Sequence, residues 1–131
     1  MEINLCYKTY PFKISLAACK QFAEQSGTDL QYALLKYIEA TADTKGMGAI
    51  ERMAYLQSIF TFDIASKLLH SLIKQENKNI PLVEIQDAMF KVSWLPTEDD
   101  SVLCQPWPLV MIDVATQVNT YFNDNLPKKK D

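Results

Sequence analysis

The sequence has little of several residue types that mark particular classes of protein. Its 131 residues include only three glycines and one histidine, His70, and three cysteines, Cys6, Cys19 and Cys104. The odd number and wide spacing of the cysteines favour free thiols in a reducing compartment over disulfides. No apolar run approaches the roughly 18 residues of a membrane span, and residues 1–5 have no basic start of a secretory signal. We therefore expect a cytoplasmic protein with no membrane association.

The charge is unevenly distributed, and its sign argues against nucleic-acid binding. The whole chain has a formal net charge of −3, but without residues 127–131 it has 10 basic and 15 acidic residues. An acidic body repels a phosphate backbone. We therefore expect no nucleic-acid partner.

Candidate catalytic groups are few. His70 is the only histidine that could act as a base, and the serines near it are Ser66 and Ser71. Ser71 is adjacent in sequence, so on a helix its side chain diverges from that of His70 by about 100°. Ser66 lies one turn back, but no oxyanion-stabilising motif accompanies it. The sequence predicts a histidine on a helix surface.

The sequence also has no recognisable pattern for binding a metal or a cofactor. The chain has no Cys-x-x-Cys pair, and the acidic residues 98–100 lack the alternating spacing of a calcium loop. Asp113 has apolar neighbours but is predicted to lie on the outer face of the last helix. We expect no catalytic, cofactor-binding or metal-binding residue and therefore no enzyme.

Residues 2–14 differ in pattern from the rest of the chain. Ile3, Leu5 and Tyr7 alternate with polar residues, and Phe12 and Ile14 flank a lysine after Tyr10 and Pro11. Alternation with period two is typical of a half-buried strand. The pattern predicts a short β-hairpin that turns near Pro11.

From residue 15 the apolar spacing becomes helical, and capping residues divide the helices. Predicted starts are Ser15, Thr28 or Asp29, Thr61 or Asp63, Pro81, and Pro106 or Pro108; Gly27 is a predicted stop and residues 41–48 a loop. The predicted inward faces are Leu16, Cys19, Phe22 and Ala23; Leu30, Ala33, Leu34, Tyr37 and Ile38; Ile50, Met53, Ala54 and Leu56; Ile64, Leu68, Leu72 and Ile73; Leu82, Ile85 and Met89; and Val110, Val114, Val118 and Tyr121.

These patterns together predict an α+β fold that is predominantly α, with a short N-terminal β-hairpin followed by about five to six helices. We expect one globular domain over residues 1–126, with the hairpin at 2–14 and a helical body at 15–126. Residues 127–131 are expected to form a disordered basic tail.

Four aromatic residues are concentrated in the C-terminal third of the chain. Trp94, Trp107, Tyr121 and Phe122 lie on segments interrupted by prolines. One interpretation is that they close the core beneath an irregular connection. The other is that some of them lie at the surface as partner-binding anchors, because tryptophan and tyrosine dominate interface energies.

The N-terminal third resembles a known family. Residues 7–16 read Tyr-Lys-Thr-Tyr-Pro-Phe-Lys-Ile-Ser-Leu, and the helix that follows contains Phe22 and Glu24 before Gly27. A short hairpin, a Ser-Leu helix start, an aromatic followed by an acid and a terminating glycine resemble the start of small tail assembly chaperones of long-tailed double-stranded DNA bacteriophages. The motifs cover about the first 45 residues, and the size and helical content agree over the whole chain.

The basic tail has a second possible meaning within that family. Such chaperones are typically made in two forms, the longer by ribosomal frameshifting on a repetitive codon run. Lys128, Lys129 and Lys130 are where such a run could be encoded. The alternative is an ordinary basic tail that aids solubility.

The resemblance implies a partner and a mode of action. It implies a non-catalytic chaperone that keeps the tape measure protein soluble in the host cytoplasm, as a homo-oligomer. A longer frameshifted form would also contact the tail tube protein. The alternative hypothesis is a small cytosolic adaptor or regulator that binds one protein partner.

Overall fold

The computed structural model describes residues 1–92 and 104–126. Within these ranges a two-stranded antiparallel hairpin precedes six helices, which confirms the predicted fold class. The elements are β1 (Glu2–Leu5), β2 (Lys8–Pro11), α1 (Leu16–Ser26), α2 (Leu30–Asp43), α3 (Ala49–Ile59), α4 (Phe62–Ile73), α5 (Leu82–Lys91) and α6 (Trp107–Asp124). Trp94, the acidic residues 98–100, Lys128, Lys129 and Lys130 lie outside the described residues.

The hairpin forms as expected, but its turn was predicted in the wrong place. The chain reverses at Cys6 and Tyr7, both of which have positive φ values, 49° and 63°. Two central residues in this conformation make the turn whose twist matches that of the strands, although Asn-Gly is its usual sequence. Pro11 lies in β2 opposite Glu2. Proline is tolerated there because that position needs no N–H for the hairpin ladder.

The helix boundaries follow the local capping chemistry. The Ser15 hydroxyl accepts a hydrogen bond from the Ala18 N–H, the Asp29 carboxylate from Tyr32 N–H, and the Thr61 hydroxyl from Ile64 N–H. Gly27 ends α1 in the left-handed conformation at φ 71° and donates its N–H to the Ala23 carbonyl. These contacts confirm the predicted caps.

Helix α4 lies at the centre of the molecule. It packs against α1 and α5 and also contacts α6, while α2 packs on α6. The hairpin joins the same core: Ile3 and Leu5 are buried in it, and the Lys13 N–H donates to the Leu72 carbonyl at 3.3 Å. A smaller apolar cluster of Ala40, Met53 and Leu56 joins α2 and α3.

Helical spacing placed most of the buried positions correctly but missed several. Leu16, Ala23, Ile50, Ala54 and Tyr121 were predicted to point inward and are exposed. Ile38, also predicted inward, lies at the surface. Helical spacing identifies residues that share one face of a helix, but it does not give how much of that face the neighbouring elements cover. No helix in the described ranges has the length and apolar content to cross a bilayer.

Candidate protein-binding groove

The structure separates the aromatic residues predicted as partner-binding anchors. Trp107 is buried, with 8% of its surface exposed, and its ring packs edge-on to Phe62 at a centroid distance of 6.3 Å. Tyr121 and Phe122 are 42% and 43% exposed and lie edge-to-face, 5.6 Å apart. Trp107 therefore belongs to the core, whereas Tyr121 and Phe122 remain available to a partner.

Phe122 lies beside an apolar groove between α2 and α6. The cavity in this groove, about 170 Å³ in volume, is lined by Ile14, Leu30, Gln31, Leu34, Leu35, Ile38, Ala115, Val118, Asn119 and Phe122. Leu30, Leu34 and Val118 are buried and form its floor. Leu35, Ile38 and Phe122 are exposed and form its walls. We call this feature the α2–α6 groove.

The sequence of α2 explains why the groove is open. The positions that α2 buries are Leu30, Ala33, Leu34, Tyr37 and Ala40, and Leu35 extends the apolar sector beyond them. Leu34 is at one border of that buried face, and Leu35 lies about 100° further round the helix, outside it. It is 63% exposed. In the sequence, the Leu34-Leu35 doublet indicates this wall, because the second leucine lies outside the inward face of α2.

The groove contains no formal charge. Its ten lining residues are eight apolar side chains and the amides of Gln31 and Asn119. On the same helix α2, Lys36 and Glu39 carry charges, and their Nζ and Oε2 atoms are 4.0 Å apart. An apolar floor with a few polar groups at the rim is the usual composition of a recognition site.

A second apolar pocket lies where α4, α5 and α6 meet. Its volume is about 390 Å³, and Gln57, Phe62, Met89, Phe90 and Trp107 line it. The predicted anchor Trp107 therefore borders this pocket rather than the α2–α6 groove. Phe90 is largely exposed at its edge.

His70 was predicted to lie on a helix surface, and that prediction is wrong. Only 4% of the side chain is exposed, and its Nε2–H donates to the Ile80 carbonyl at 2.9 Å. The Nδ1 atom is buried and has no hydrogen-bond partner within the described residues. Because α4 is covered by three other helices, its histidine is in the core and ties down the segment that leads into α5.

The serines near His70 are occupied elsewhere. Ser66 Oγ donates to the Asp63 carbonyl at 2.8 Å and accepts from Gln86 Nε2 at 3.2 Å. Ser71 Oγ donates to the Lys67 carbonyl at 2.8 Å. The hydrogen bonds of Ser66, His70 and Ser71 therefore stabilise α4 and its contacts with neighbouring segments.

Cys19 and Asp113 also have surroundings that do not indicate catalysis. Burial, with a smaller effect from Asp29, raises the pKa of the Cys19 thiol, so this thiol stays protonated at neutral pH. Asp113 is exposed as predicted and accepts a hydrogen bond from Gln117 Nε2 at 2.8 Å. Across residues 1–92 and 104–126, no three His, Cys, Asp or Glu side chains are grouped to hold a metal ion.

Comparisons of this chain with known proteins found no relative. No family model, curated protein or solved structure matches the chain. The functional proposal therefore depends on the residues of this chain and on the α2–α6 groove.

Proposed function

We propose that the protein is a non-catalytic tail assembly chaperone of a long-tailed bacteriophage. It binds apolar helical segments of the tape measure protein in the α2–α6 groove and keeps them soluble. The observation that carries the proposal is an open groove of apolar side chains on a small helical body. The N-terminal pattern of residues 7–30, which resembles the start of this chaperone family, supports the same function.

The lining of the groove defines the partner segment. A charged side chain entering it would lose water without gaining an opposite charge, which is costly. A cavity of about 170 Å³ accepts one bulky apolar side chain at a time. An amphipathic helix presents such anchors every three or four residues, and a groove between two helices binds it along its apolar face.

The proposal also covers the oligomeric state of the chaperone and its longer form. A tape measure protein is long, so many copies of a small chaperone are needed to cover it, and we propose self-association of the bound copies. A longer form, made by frameshifting at the codons of Lys128, Lys129 and Lys130, would add the part that contacts the tail tube protein. The short form needs only the groove for its activity.

The test is co-expression with a helical, apolar fragment of a tape measure protein. We expect the wild-type chain to raise the soluble fraction of the fragment severalfold. Leu35→Glu places a charge in the wall of the groove and should abolish that gain. Ile50→Glu is the matched control, because Ile50 on α3 is 72% exposed and does not line the groove.

Two results would contradict the proposal. One is the absence of any gain in fragment solubility with the wild-type chain, and the other is an equal loss with both variants. Binding of one folded partner at a fixed ratio, without any effect on the fragment, would favour the adaptor hypothesis instead. Mass spectrometry of the phage-infected host would separately test for the longer product.

A further inference from the structure

The outer edge of β1 has backbone groups that point away from the hairpin. The Phe12 N–H donates to the Met1 carbonyl at 2.9 Å, and the register pairs Ile3 with Tyr10 and Asn4 with Thr9. In an antiparallel ladder, hydrogen-bonded and non-hydrogen-bonded pairs alternate. Glu2 and Asn4 therefore direct their N–H and C=O groups outward.

A side chain from α6 already occupies part of this edge. Gln117 Oε1 accepts from the Glu2 N–H at 3.3 Å, and Gln117 Nε2 donates to the Glu2 carbonyl at 2.9 Å. One amide thus makes the two hydrogen bonds that a residue of an added strand would make. Gln117 Nε2 is itself 2.8 Å from Asp113 Oδ2, which fixes its orientation.

The next outward pair on the edge, the N–H and C=O of Asn4, has no partner within the described residues. Asn4 lines a polar groove of about 680 Å³ together with Met1, Glu2, Gln105, Asp113 and Gln117. The groove continues along α6 into another of about 390 Å³, which shares Met1 and Gln117 and ends at Asp124 and Asn125. The two grooves together have polar lining residues from Asn4 at the edge of β1 to Asn125 at the end of α6.

The charge of the groove distinguishes between possible occupants. Three carboxylates, of Glu2, Asp113 and Asp124, line it against one cationic group, the ammonium of Met1, and no Lys or Arg side chain lines it in the described part of the chain. A second copy that paired through β1 would bring the same carboxylates against these. A segment rich in lysine or arginine would instead neutralise them.

The opposite edge of the hairpin is less suited to strand addition. In β2 the outward positions are Thr9 and Pro11, the partners of Asn4 and Glu2. Proline has no N–H and blunts an edge. The two edges of one hairpin therefore differ in their capacity to accept a strand.

We propose that the outer edge of β1 binds an extended, basic peptide segment of a partner protein as a third strand. The backbone of Asn4 supplies the hydrogen bonds, and Glu2 and Asp113 supply the opposite charge. This surface is separate from the α2–α6 groove, so it stands whether or not the chaperone proposal holds.

The primary test uses the unmodified chain and a defined probe, an eight-residue peptide of alternating lysine and threonine. Amide hydrogen exchange followed by NMR should show that saturating peptide slows exchange at Asn4 by about tenfold or more, with no change at Thr9. The same peptide with alternate backbone nitrogens methylated keeps its charge but loses strand hydrogen bonds. Equal binding of the methylated peptide, or equal protection of both amides, would overturn the proposal.

A pair of matched variants supplies the second test. Asn4→Pro removes the outward N–H of β1, and Thr9→Pro removes that of β2; each also removes the 2.7 Å hydrogen bond between the two side chains. We expect Asn4→Pro to weaken peptide binding about three- to tenfold, the effect of losing one hydrogen bond, and Thr9→Pro to leave it unchanged. Circular dichroism checks that both variants fold.

The third test changes the charge of the groove or of the peptide and measures peptide binding. Asp113→Asn should weaken binding of the lysine peptide, and a peptide with glutamate in place of lysine should not bind. Tight dimerisation through β1 in the free protein, detected by sedimentation and abolished by Asn4→Pro, would show that a second copy is the occupant and would contradict the proposal.

Discussion

Helix α4 and the α2–α6 groove differ in which side chains they bury. Helix α4 buries the polar side chains of Ser66, His70 and Ser71 among leucines. The groove leaves Leu35 and Phe122 exposed, with 63% and 43% of their surfaces in solvent. Residue type alone would have predicted the reverse for each of these five residues.

The difference shows that burial depends on the neighbouring elements. Helix α4 is covered from several sides by α1, α5 and α6, so its polar groups are buried and must find partners. Ser66 and Ser71 bond to carbonyls of their own helix, and His70 reaches the Ile80 carbonyl. Helices α2 and α6 pack against each other, but within the described residues Leu35, Ile38 and Phe122 lie beyond the packed faces and stay exposed. Apolar surface of this kind is what a binding partner can use.

The largest expected effect comes from truncating one leucine to alanine in each region and comparing the loss of stability. Leu68→Ala removes a fully buried side chain from α4 and should lower the free energy of unfolding by about 2–5 kcal/mol. Leu35→Ala in the groove should change it by less than about 0.5 kcal/mol. Urea unfolding followed by circular dichroism measures both. Similar losses for the two variants would mean that the groove is covered in the free protein.

The second prediction concerns the polar groups that α4 buries. His70→Ala leaves a cavity and leaves the Ile80 carbonyl without its donor, so we expect a loss of about 2–3 kcal/mol in the same assay. Ser71→Ala is the control, because the Ser71 hydroxyl donates to the carbonyl of Lys67 within its own helix, and the loss in stability should stay below about 1 kcal/mol. If His70→Ala costs no more than Ser71→Ala, the hydrogen bond to Ile80 does not anchor the start of α5.

The smallest expected effect is the pH dependence of the stability that Tyr10, at the boundary of the core, contributes. Burial, and a 3.1 Å hydrogen bond that Tyr10 Oη donates to Glu84 Oε2, raise the pKa of Tyr10 to about 12. Because the unfolded phenol ionises near pH 10, the stability that Tyr10 contributes is fully present below pH 10 and is lost as the pH rises from 10 to 12.

The measurement is the difference in the free energy of unfolding between the wild type and Tyr10→Phe across that window. We expect the difference to shrink as the pH rises. A constant difference would mean that the folded and unfolded phenols ionise alike. Tyr37, whose pKa is also raised by burial, is present in both proteins and therefore cancels.

Features that depend on short stretches of sequence were predicted well. Ser15, Asp29 and Thr61 cap helices because the bond from the side chain to the N–H three residues on is made within one turn. The hairpin turn was harder to predict. Cys6 and Tyr7 are poor turn residues by composition, and Pro11 looked like the stronger break, yet Pro11 fits an outward position of β2.

The candidate groove was only partly visible in the sequence. Phe122 was identified as a possible anchor from its aromatic ring, and it lines the groove. Ile38 was predicted to be buried, and Leu35 was not singled out, because periodicity shows which residues share a face of a helix but not how much of that face a neighbour covers. Trp107, predicted by the same criterion as Phe122, lies in the core.

The sequence by itself determined the fold class, the helix caps and the acidic, cysteine-poor character of the chain, since each depends on composition or on contacts within one turn. Only the tertiary structure decided that His70 is buried, that Leu35 and Ile38 form a groove with Phe122, and that Gln117 occupies the edge of β1. These depend on which elements meet, and residues as far apart as Glu2 and Gln117 are brought together only by packing of the whole core.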